Sequence, residues 1–251
     1  MTLPIVYIHG LFGSPLDFEE MNSILPGHAI LFPNHSSMIP SQRDKLDVVE
    51  ELLKQLHPFT PCILIGYSLG GRLALQLQTL HPALFPKIIC LASHLGAQSS
   101  EDRIVRRAWE DEWMTCFKTL PKEKALELWY GQPLFNSFRN HPKYPDFLRR
   151  RVRVNLDEIA EVFDQTRRSK MEYMIPSMQQ AFFLVGEQDS NVLKLYQKHL
   201  KEEQYCVIEK AGHCLHIENP ITCSYKIQSW LGENEHNRRT NQSRNDQCRM
   251  D

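Results

Sequence analysis

Short apolar runs recur along the chain and alternate with stretches whose apolar residues follow a helical period. The runs occupy residues 5–8, 29–32, 62–65, 88–91, 181–185 and 205–208. Because each run is uninterrupted, it predicts a strand that is covered on both faces. Helical periodicity appears between and after them, over residues 44–56, 72–79, 191–200 and 221–230. The alternation predicts an α/β fold with a mostly parallel sheet of about six to seven strands and helices on both faces.

One interval, residues 94–178, breaks this alternation. It contains amphipathic helical stretches over 101–119, 122–130 and 146–166 and no convincing strand. Because such an interval is too long for a loop, we expect a helical lid that is inserted before the penultimate strand and covers the carboxyl ends of the strands. The core would then comprise residues 1–93 and 179–231. The remaining residues, 232–251, are polar and aperiodic, which predicts a disordered tail.

Charge and cysteine content narrow the classes of function. The chain has 29 Lys and Arg against 30 Asp and Glu, so no overall field would hold it on nucleic acid or on a membrane. No apolar run reaches the ~18–20 residues of a spanning helix, and the start of the chain lacks a signal sequence, so we expect a cytoplasmic location. The seven cysteines are scattered and form no CxxC pair, which predicts reduced thiols and no metal site. No motif indicates a cofactor or a protein partner.

A candidate nucleophile lies at a turn between a buried strand and a helix. The segment Gly66-Tyr67-Ser68-Leu69-Gly70 follows the run at 62–65 and precedes the helical pattern at 72–79. This context is the one that a nucleophile elbow requires, because small residues on either side let the backbone turn sharply and expose the serine. We predict that Ser68 is the nucleophile or base of a catalytic site.

A candidate acid and a candidate histidine follow the last two predicted strands. Asp189 comes just after the run at 181–185, and His213 follows the run at 205–208. Ser, Asp and His thus occur in the chain order of the α/β-hydrolase fold, with Asp189 orienting His213 and His213 taking the Ser68 proton. Glu187 and Asp164 are alternative acids. His216 is an alternative to His213, although its place before the last helix favours a packing role.

Backbone amides near the elbow are candidates for polarising a carbonyl oxygen. His9-Gly10-Leu11 ends the first predicted strand, which lies beside the elbow in this fold. We assign an oxyanion hole, or an equivalent carbonyl site, to the N–H groups of Leu11 and Leu69.

Arginines distinguish among the chemistries that such a triad allows. Arg72 lies one helical turn after Ser68, and further arginines occur in the predicted lid at positions 103, 106, 107, 149, 150, 151 and 153. A guanidinium near the nucleophile does not help plain ester hydrolysis, but its fork suits a substrate carboxylate. Arg72 therefore indicates an anionic substrate.

Several segments resemble the 2-succinyl-6-hydroxy-2,4-cyclohexadiene-1-carboxylate synthase (MenH) family of the α/β-hydrolase superfamily. The elbow with Gly71 and Arg72 is one of them. The others are His94-Leu95-Gly96 with Glu101-Asp102-Arg103, Arg106 and Trp113, then Trp129-Tyr130-Gly131-Gln132-Pro133-Leu134-Phe135, Gly186-Glu187-Gln188-Asp189-Ser190, and Gly212-His213-Cys214-Leu215-His216-Ile217-Glu218-Asn219-Pro220. Together they are spread over most of residues 5–231.

The resemblance implies a lyase that eliminates pyruvate from a succinyl-enolpyruvyl-cyclohexene carboxylate, with Ser68 and His213 removing a proton and no acyl-enzyme. The family's substrate-binding arginines match Arg72, Arg106 and Arg151. The same pocket would be lined by Tyr67, Trp129 and Phe135, and the implied ligand is a small polycarboxylate.

Two alternatives remain open from the sequence. A serine carboxylesterase or thioesterase acting on an anionic substrate, such as a pimeloyl-ester hydrolase, would use the same triad with Ser68 as a true nucleophile. A catalytically silent binding protein of the same fold is the other, although such proteins usually lose a triad residue or an elbow glycine, and this chain retains them all.

Overall fold

A six-stranded parallel sheet forms the centre of the molecule, seen in a computed structural model that describes residues 3–31, 47–177 and 179–232. Its strands lie in the order β2-β1-β3-β4-β5-β6, and every neighbouring pair is parallel. The strands are β1 (Ile5–Ile8), β2 (His28–Ile30), β3 (Ile63–Tyr67), β4 (Lys87–Leu91), β5 (Ala181–Gly186) and β6 (Tyr205–Ile208). The predicted parallel α/β sheet is therefore confirmed.

The central strands β1, β3, β4 and β5 are buried on both faces, as the uninterrupted apolar runs predict, whereas the edge strands β2 and β6 are partly exposed. Alternate side chains of β1 point to opposite faces: Val6 and Ile8 belong to one apolar cluster, and Ile5 and Tyr7 belong to the other. Helices α2 (Val48–Leu56), α3 (Leu69–Leu80) and α9 (Ser190–His199) pack on the first face. Helix α1 (Glu19–Ile24) and the helix over 220–232, named α11, cover the second face.

The interval between β4 and β5 is helical. It contains α4 (Ser100–Thr119), α5 (Lys122–Tyr130), α6 (Asn136–Arg139), α7 (Tyr144–Arg151) and α8 (Leu156–Gln165), and we call it the helical insertion. Short 3₁₀ turns also occur in the chain, at Pro15–Phe18, His57–Phe59, Pro133–Phe135, Arg168–Lys170 and Glu202–Gln204, and a one-turn helix, α10, spans Leu215–Glu218. The division of the chain into core and lid at 94 and 178 stays a prediction.

The single helix predicted over 146–166 is wrong, because the structure breaks it into α7 and α8. Helix α7 ends at Arg151, and Asn155 opens α8 by accepting a hydrogen bond from the Asp157 N–H at 2.9 Å. An asparagine at this position favours a helix start over a helix interior. The apolar period runs on across the break, which is why the pattern alone suggested one helix.

Some expectations fall on residues that the structure does not describe. These are Phe32 at the end of the second apolar run, residues 44–46 at the start of the α2 pattern, and 233–251 of the predicted tail. Gly232, the first residue of that tail, belongs to α11. Within the described ranges, no helix combines the length and apolar character that a membrane span needs.

Candidate active site

The elbow between β3 and α3 holds Ser68 in a strained backbone conformation. Its φ is 50° and its ψ is −105°, a region that non-glycine residues rarely occupy. Gly66 and Gly70 are required here. A Cβ on Gly66 would lie 2.4 Å from the Gly70 carbonyl, and one on Gly70 would lie 2.1 Å from the oxygen of Ile8. The close approach of these backbones fixes a half-buried Ser68 at the carboxyl end of the sheet.

The structure brings Ser68, His213 and Asp189 together. His213 Nε2 lies 3.1 Å from the Ser68 Oγ, and His213 Nδ1 lies 2.6 Å from Asp189 Oδ2. Asp189 is 4% exposed and also caps α9 through the Val192 N–H at 3.4 Å, so its carboxylate is held in place from two directions. This geometry matches a serine–histidine–acid relay in which the imidazole accepts the serine proton.

A second carboxylate supports the loop that carries His213. Glu218 Oε2 accepts a hydrogen bond from the Gly212 N–H at 2.9 Å, and Glu218 Oε1 accepts one from the Ser137 hydroxyl at 2.6 Å. Ser137 belongs to α6, so this contact ties the helical insertion to the histidine loop. Phe135 adds an edge-to-face contact with the His213 ring at 5.8 Å.

The structure places the alternative acids and the alternative histidine away from this relay. Glu187 accepts a hydrogen bond from the Lys210 backbone, and Asp164 pairs with Arg167 and Lys170. His216 is fully buried and packs against Tyr67, with ring centroids 4.1 Å apart and the ring planes tilted by 38°. Burial lowers the pKa of His216 to about 3, which keeps its ring neutral.

A cavity of about 370 Å³ opens onto Ser68 and His213 between the sheet and the helical insertion. Leu11 and Leu69, the two predicted backbone donors, both line it. Leu69 is the first residue of α3, where a backbone N–H has no acceptor within the helix and can meet a ligand. The assignment of these amides to a carbonyl-polarising site stays a prediction.

Arg72 and Arg106 line the same cavity from α3 and α4. Arg72 donates from Nη1 to the Thr166 carbonyl at 2.6 Å, and Arg106 donates from Nε to Glu110 at 3.0 Å. Burial, and then repulsion from neighbouring guanidinium groups, lowers the pKa of Arg72 to about 9 and that of Arg106 to about 10. Both stay charged near neutral pH, and an anion in the cavity would relieve their repulsion.

Arg151 also reaches the cavity, but a carboxylate already holds it. Its side chain is 2% exposed and forms a bidentate pair with the buried Asp17, with Nη1 2.9 Å from Asp17 Oδ1. Its guanidinium carbon lies 3.5 Å from the Phe147 ring centroid. Burial favours the neutral form of Arg151, but Asp17 overrides this and raises the arginine pKa. Arg151 therefore differs from Arg72 and Arg106, because its guanidinium N–H groups are already paired with a carboxylate.

The three predicted aromatic residues surround the cavity. Tyr67 packs against His213 at 5.4 Å between ring centroids, and its hydroxyl lies 3.2 Å from the Cys214 sulfur. Trp129 stands in an aromatic cluster with Trp113, at 4.8 Å, and Phe163, at 6.1 Å. Together with Phe135, they give the cavity apolar walls around its charged groups.

Other lining residues were missed from the sequence, among them His94 and Arg168. His94 follows the end of β4, and a position after a strand end is a signal that could have identified it. Arg168 lies in a 3₁₀ turn between α8 and β5, where the sequence has no periodic pattern and gives no such signal. Burial and then Arg168, Arg72 and Arg106 lower the pKa of His94 to about 2, so this imidazole is neutral.

Comparisons with known proteins show the family of the chain. The sequence model of the alpha/beta hydrolase family matches residues 5–222. Curated 2-succinyl-6-hydroxy-2,4-cyclohexadiene-1-carboxylate synthases from Shigella dysenteriae serotype 1 (strain Sd197) and Escherichia coli O1:K1 / APEC are 26% and 27% identical to the chain over 226 residues. These matches cover 86% of the chain and 88% of each relative. The resemblance that the motifs predicted is thereby confirmed.

Solved structures show the same fold. MenH from S. aureus has a TM-score of 0.83 at 19% identity, covering 94% of this chain and 96% of the other. A thermophilic esterase from Thermogutta terrifontis has a TM-score of 0.67 at 17% identity, covering 93% and 91%. Proteins named for different activities share this architecture, so the fold alone does not assign the reaction.

Proposed function

The chain belongs to the alpha/beta hydrolase family, and we propose that it is a lyase like the curated synthases that it resembles. The reaction would eliminate pyruvate from a succinyl-enolpyruvyl-cyclohexene carboxylate and give 2-succinyl-6-hydroxy-2,4-cyclohexadiene-1-carboxylate. The observation that carries this proposal is the charge of the cavity. Four arginines line it beside the triad, at positions 72, 106, 151 and 168, against one carboxylate, Asp189, among the described residues.

The triad geometry supports a proton-transfer role for Ser68. His213 accepts the serine proton at 3.1 Å, and Ser68 then removes the proton on the substrate carbon next to the succinyl carbonyl. The C–H electrons form a new ring double bond, the existing ring double bond shifts by one position, and the bond from the ring to the enolpyruvyl oxygen breaks. The leaving enolate takes up a proton that balances the one held by His213, and it becomes pyruvate. Asp189 stabilises the imidazolium that forms on His213, at 2.6 Å.

The remaining groups would bind and orient the substrate. The N–H groups of Leu11 and Leu69 would stabilise negative charge on the succinyl carbonyl oxygen during proton removal. Arg72 and Arg106 would hold substrate carboxylates, since guanidinium forks match planar carboxylates. The apolar walls around Trp129 and Phe135 would exclude water, which strengthens these charge interactions.

The triad geometry also favours a second candidate, a carboxylesterase or thioesterase acting on an anionic ester. Here Ser68 would attack an acyl carbon, and the same backbone donors would stabilise the tetrahedral oxyanion. The strained elbow and the 3.1 Å contact to His213 serve this chemistry equally well.

A comparison of two activities in one preparation tests the proposal. Pyruvate release from the cyclohexene precursor is followed by a coupled lactate dehydrogenase assay, and hydrolysis of 4-nitrophenyl hemisuccinate is followed by absorbance. The lyase proposal expects a kcat/KM for elimination that exceeds the one for hydrolysis by orders of magnitude. The opposite ratio would favour the esterase.

A further inference from the structure

The cavity contains a fourth arginine, which neither the motifs nor the resemblance assigned. Arg168 lines the cavity near Arg72 and Arg106, and we call the part of the cavity around these three arginines its insertion end. Its side chain is 17% exposed, so it is largely removed from solvent although it carries a charge. A buried charge normally requires compensation by its surroundings.

A fully buried carboxylate, Glu110, holds Arg106 and Arg168 side by side. Glu110 Oε1 accepts from Arg106 Nε at 3.0 Å and from the Arg168 backbone N–H at 2.8 Å. Glu110 Oε2 accepts from the Ser169 hydroxyl at 2.5 Å. This carboxylate therefore locks α4 to the turn that carries Arg168, but it binds only the backbone of Arg168 and leaves that side chain to other partners.

The guanidinium of Arg168 is incompletely paired. Nη2 donates to Asp102 Oδ1 at 2.9 Å, whereas the buried Nε has no hydrogen-bond partner. A guanidinium offers five N–H donors, and a buried donor without an acceptor is unfavourable. Arg168 thus lines the cavity with a guanidinium whose donors are only partly used within the described structure.

The charges around this end of the cavity do not balance. Arg151 is neutralised by Asp17, and Asp189 is engaged by His213. Among the residues that the structure describes, the three arginines at positions 72, 106 and 168 then face two carboxylates, Glu110 and Asp102, and His94 beside them is neutral. One further negative charge would complete this group.

We propose that Arg168 is a substrate-positioning residue that, with Arg72 and Arg106, holds one substrate carboxylate at the insertion end of the cavity. A carboxylate fits because its two oxygens can accept from two guanidinium groups at once. Arg72 lies one helical turn after Ser68, so this carboxylate is separated from the reacting carbon. The inference rests on the proposed function, because it takes this cavity as the substrate site. It adds that Arg168 selects substrates whose carboxylate lies away from the reacting carbon.

Succinate is a suitable probe because its binding can be measured without turnover. Its Kd is obtained from the fluorescence of the tryptophans beside the cavity, and the neutral analogue succinamide gives the contribution of charge. Arg168→Met should weaken succinate binding by roughly 10- to 100-fold, the range expected for a lost charged hydrogen bond. Arg168→Lys should bind succinate more tightly than Arg168→Met does, because lysine keeps the charge but not the planar guanidinium. This partial recovery would show that the loss in the methionine variant is not a folding defect.

Arg167→Met is the matched control. Arg167 is the preceding residue, pairs with Asp111 and Asp164, and does not line this cavity, so its loss should leave the Kd for succinate unchanged. Equal Kd values for the wild type and Arg168→Met, an equal loss in both variants, or equal binding of succinate and succinamide would each overturn the inference. Absence of pyruvate release alongside Arg168-dependent succinate binding would refute the lyase function and leave this carboxylate site standing.

Discussion

Arg151 of α7 and Asp17 of the Pro15–Phe18 turn form a buried bidentate ion pair that joins the helical insertion to the loop after β1. Both side chains are at most 2% exposed. Burial alone would raise the pKa of Asp17, but Arg151 overrides it and holds that pKa below its ordinary value. Asp17 is therefore charged at neutral pH and compensates Arg151, and the half-buried Arg150 lies 3.5 Å from the same carboxylate.

Removal of one partner should destabilise the fold. Asp17→Asn leaves the buried Arg151 guanidinium without its carboxylate, and we expect a loss of about 3–5 kcal/mol in the free energy of unfolding, measured by urea denaturation. Arg151→Met should also destabilise the fold, because it leaves the buried Asp17 carboxylate with only Arg150, at 3.5 Å. The control is Arg149→Met on the same helix, where an exposed pair with Asp146 should contribute at most about 0.5 kcal/mol. Equal losses in Arg149→Met and Arg151→Met would contradict this account of the pair.

The buried His216 should make stability fall in mild acid. Its pKa is ordinary, near 6.5, in the unfolded chain and about 3 in the folded protein, because burial opposes the charged form. The unfolded state therefore binds the extra proton below about pH 6.5, and stability is lost as the pH falls from there toward 3. At about pH 5 this amounts to about 2 kcal/mol.

His216→Phe keeps an aromatic ring packed against Tyr67 and removes the titrating group. The difference in unfolding free energy between about pH 7.5 and about pH 5 should shrink by about 2 kcal/mol relative to the wild type in urea titrations. An identical pH dependence in both proteins would show that His216 does not titrate in this way.

Ser68 and His213 should behave as one catalytic unit. Ser68→Ala and His213→Ala are each expected to lower kcat by roughly 10⁴-fold or more, and the double variant should lose little beyond either one, because neither group transfers a proton without the other. Pyruvate release by the three variants is the measurement. Losses that multiply in the double variant would mean that the two residues act independently.

Arg72 and Arg106 should separate elimination from ester hydrolysis. Replacement of either by Ala is expected to reduce kcat/KM for the carboxylated precursor by roughly 10- to 150-fold, the effect of a lost charged hydrogen bond. A short neutral nitrophenyl ester makes no such contact, so any hydrolysis of it should persist. Arg107→Ala is the control, because Arg107 is exposed on α4 and does not line the cavity. A parallel fall in both activities would indicate a structural role.

The features predictable from the sequence are those with a local signal. Buried parallel strands are uninterrupted apolar runs, and the relay groups lie at the elbow glycines or just after strand ends, as Ser68, Asp189 and His213 do. These local signals explain why the sheet and the three relay residues could be predicted. In the structure Ser68, His213 and Asp189 are joined by hydrogen bonds, and Glu187, Asp164 and His216 do not take part in them.

The contacts that could not be predicted join residues far apart in the chain. Asp17 and Arg151 are separated by 134 positions, and Glu110 reaches the Arg168 backbone across 58. No periodicity or spacing encodes such pairs, because they depend on how the helical insertion packs onto the core. The same packing decides that the Arg151 guanidinium is held by Asp17, whereas Arg168 lines the cavity and its Nε has no partner.

The release of pyruvate from the succinyl-enolpyruvyl-cyclohexene carboxylate tests the central claim most directly. The purified wild-type protein, incubated with this precursor and a lactate dehydrogenase couple, is predicted to form one pyruvate for each molecule of cyclohexadiene carboxylate product, and Ser68→Ala should abolish both. Arg107→Ala should match the wild type. If the folded wild-type protein releases no more pyruvate than Ser68→Ala, the chain is not this lyase.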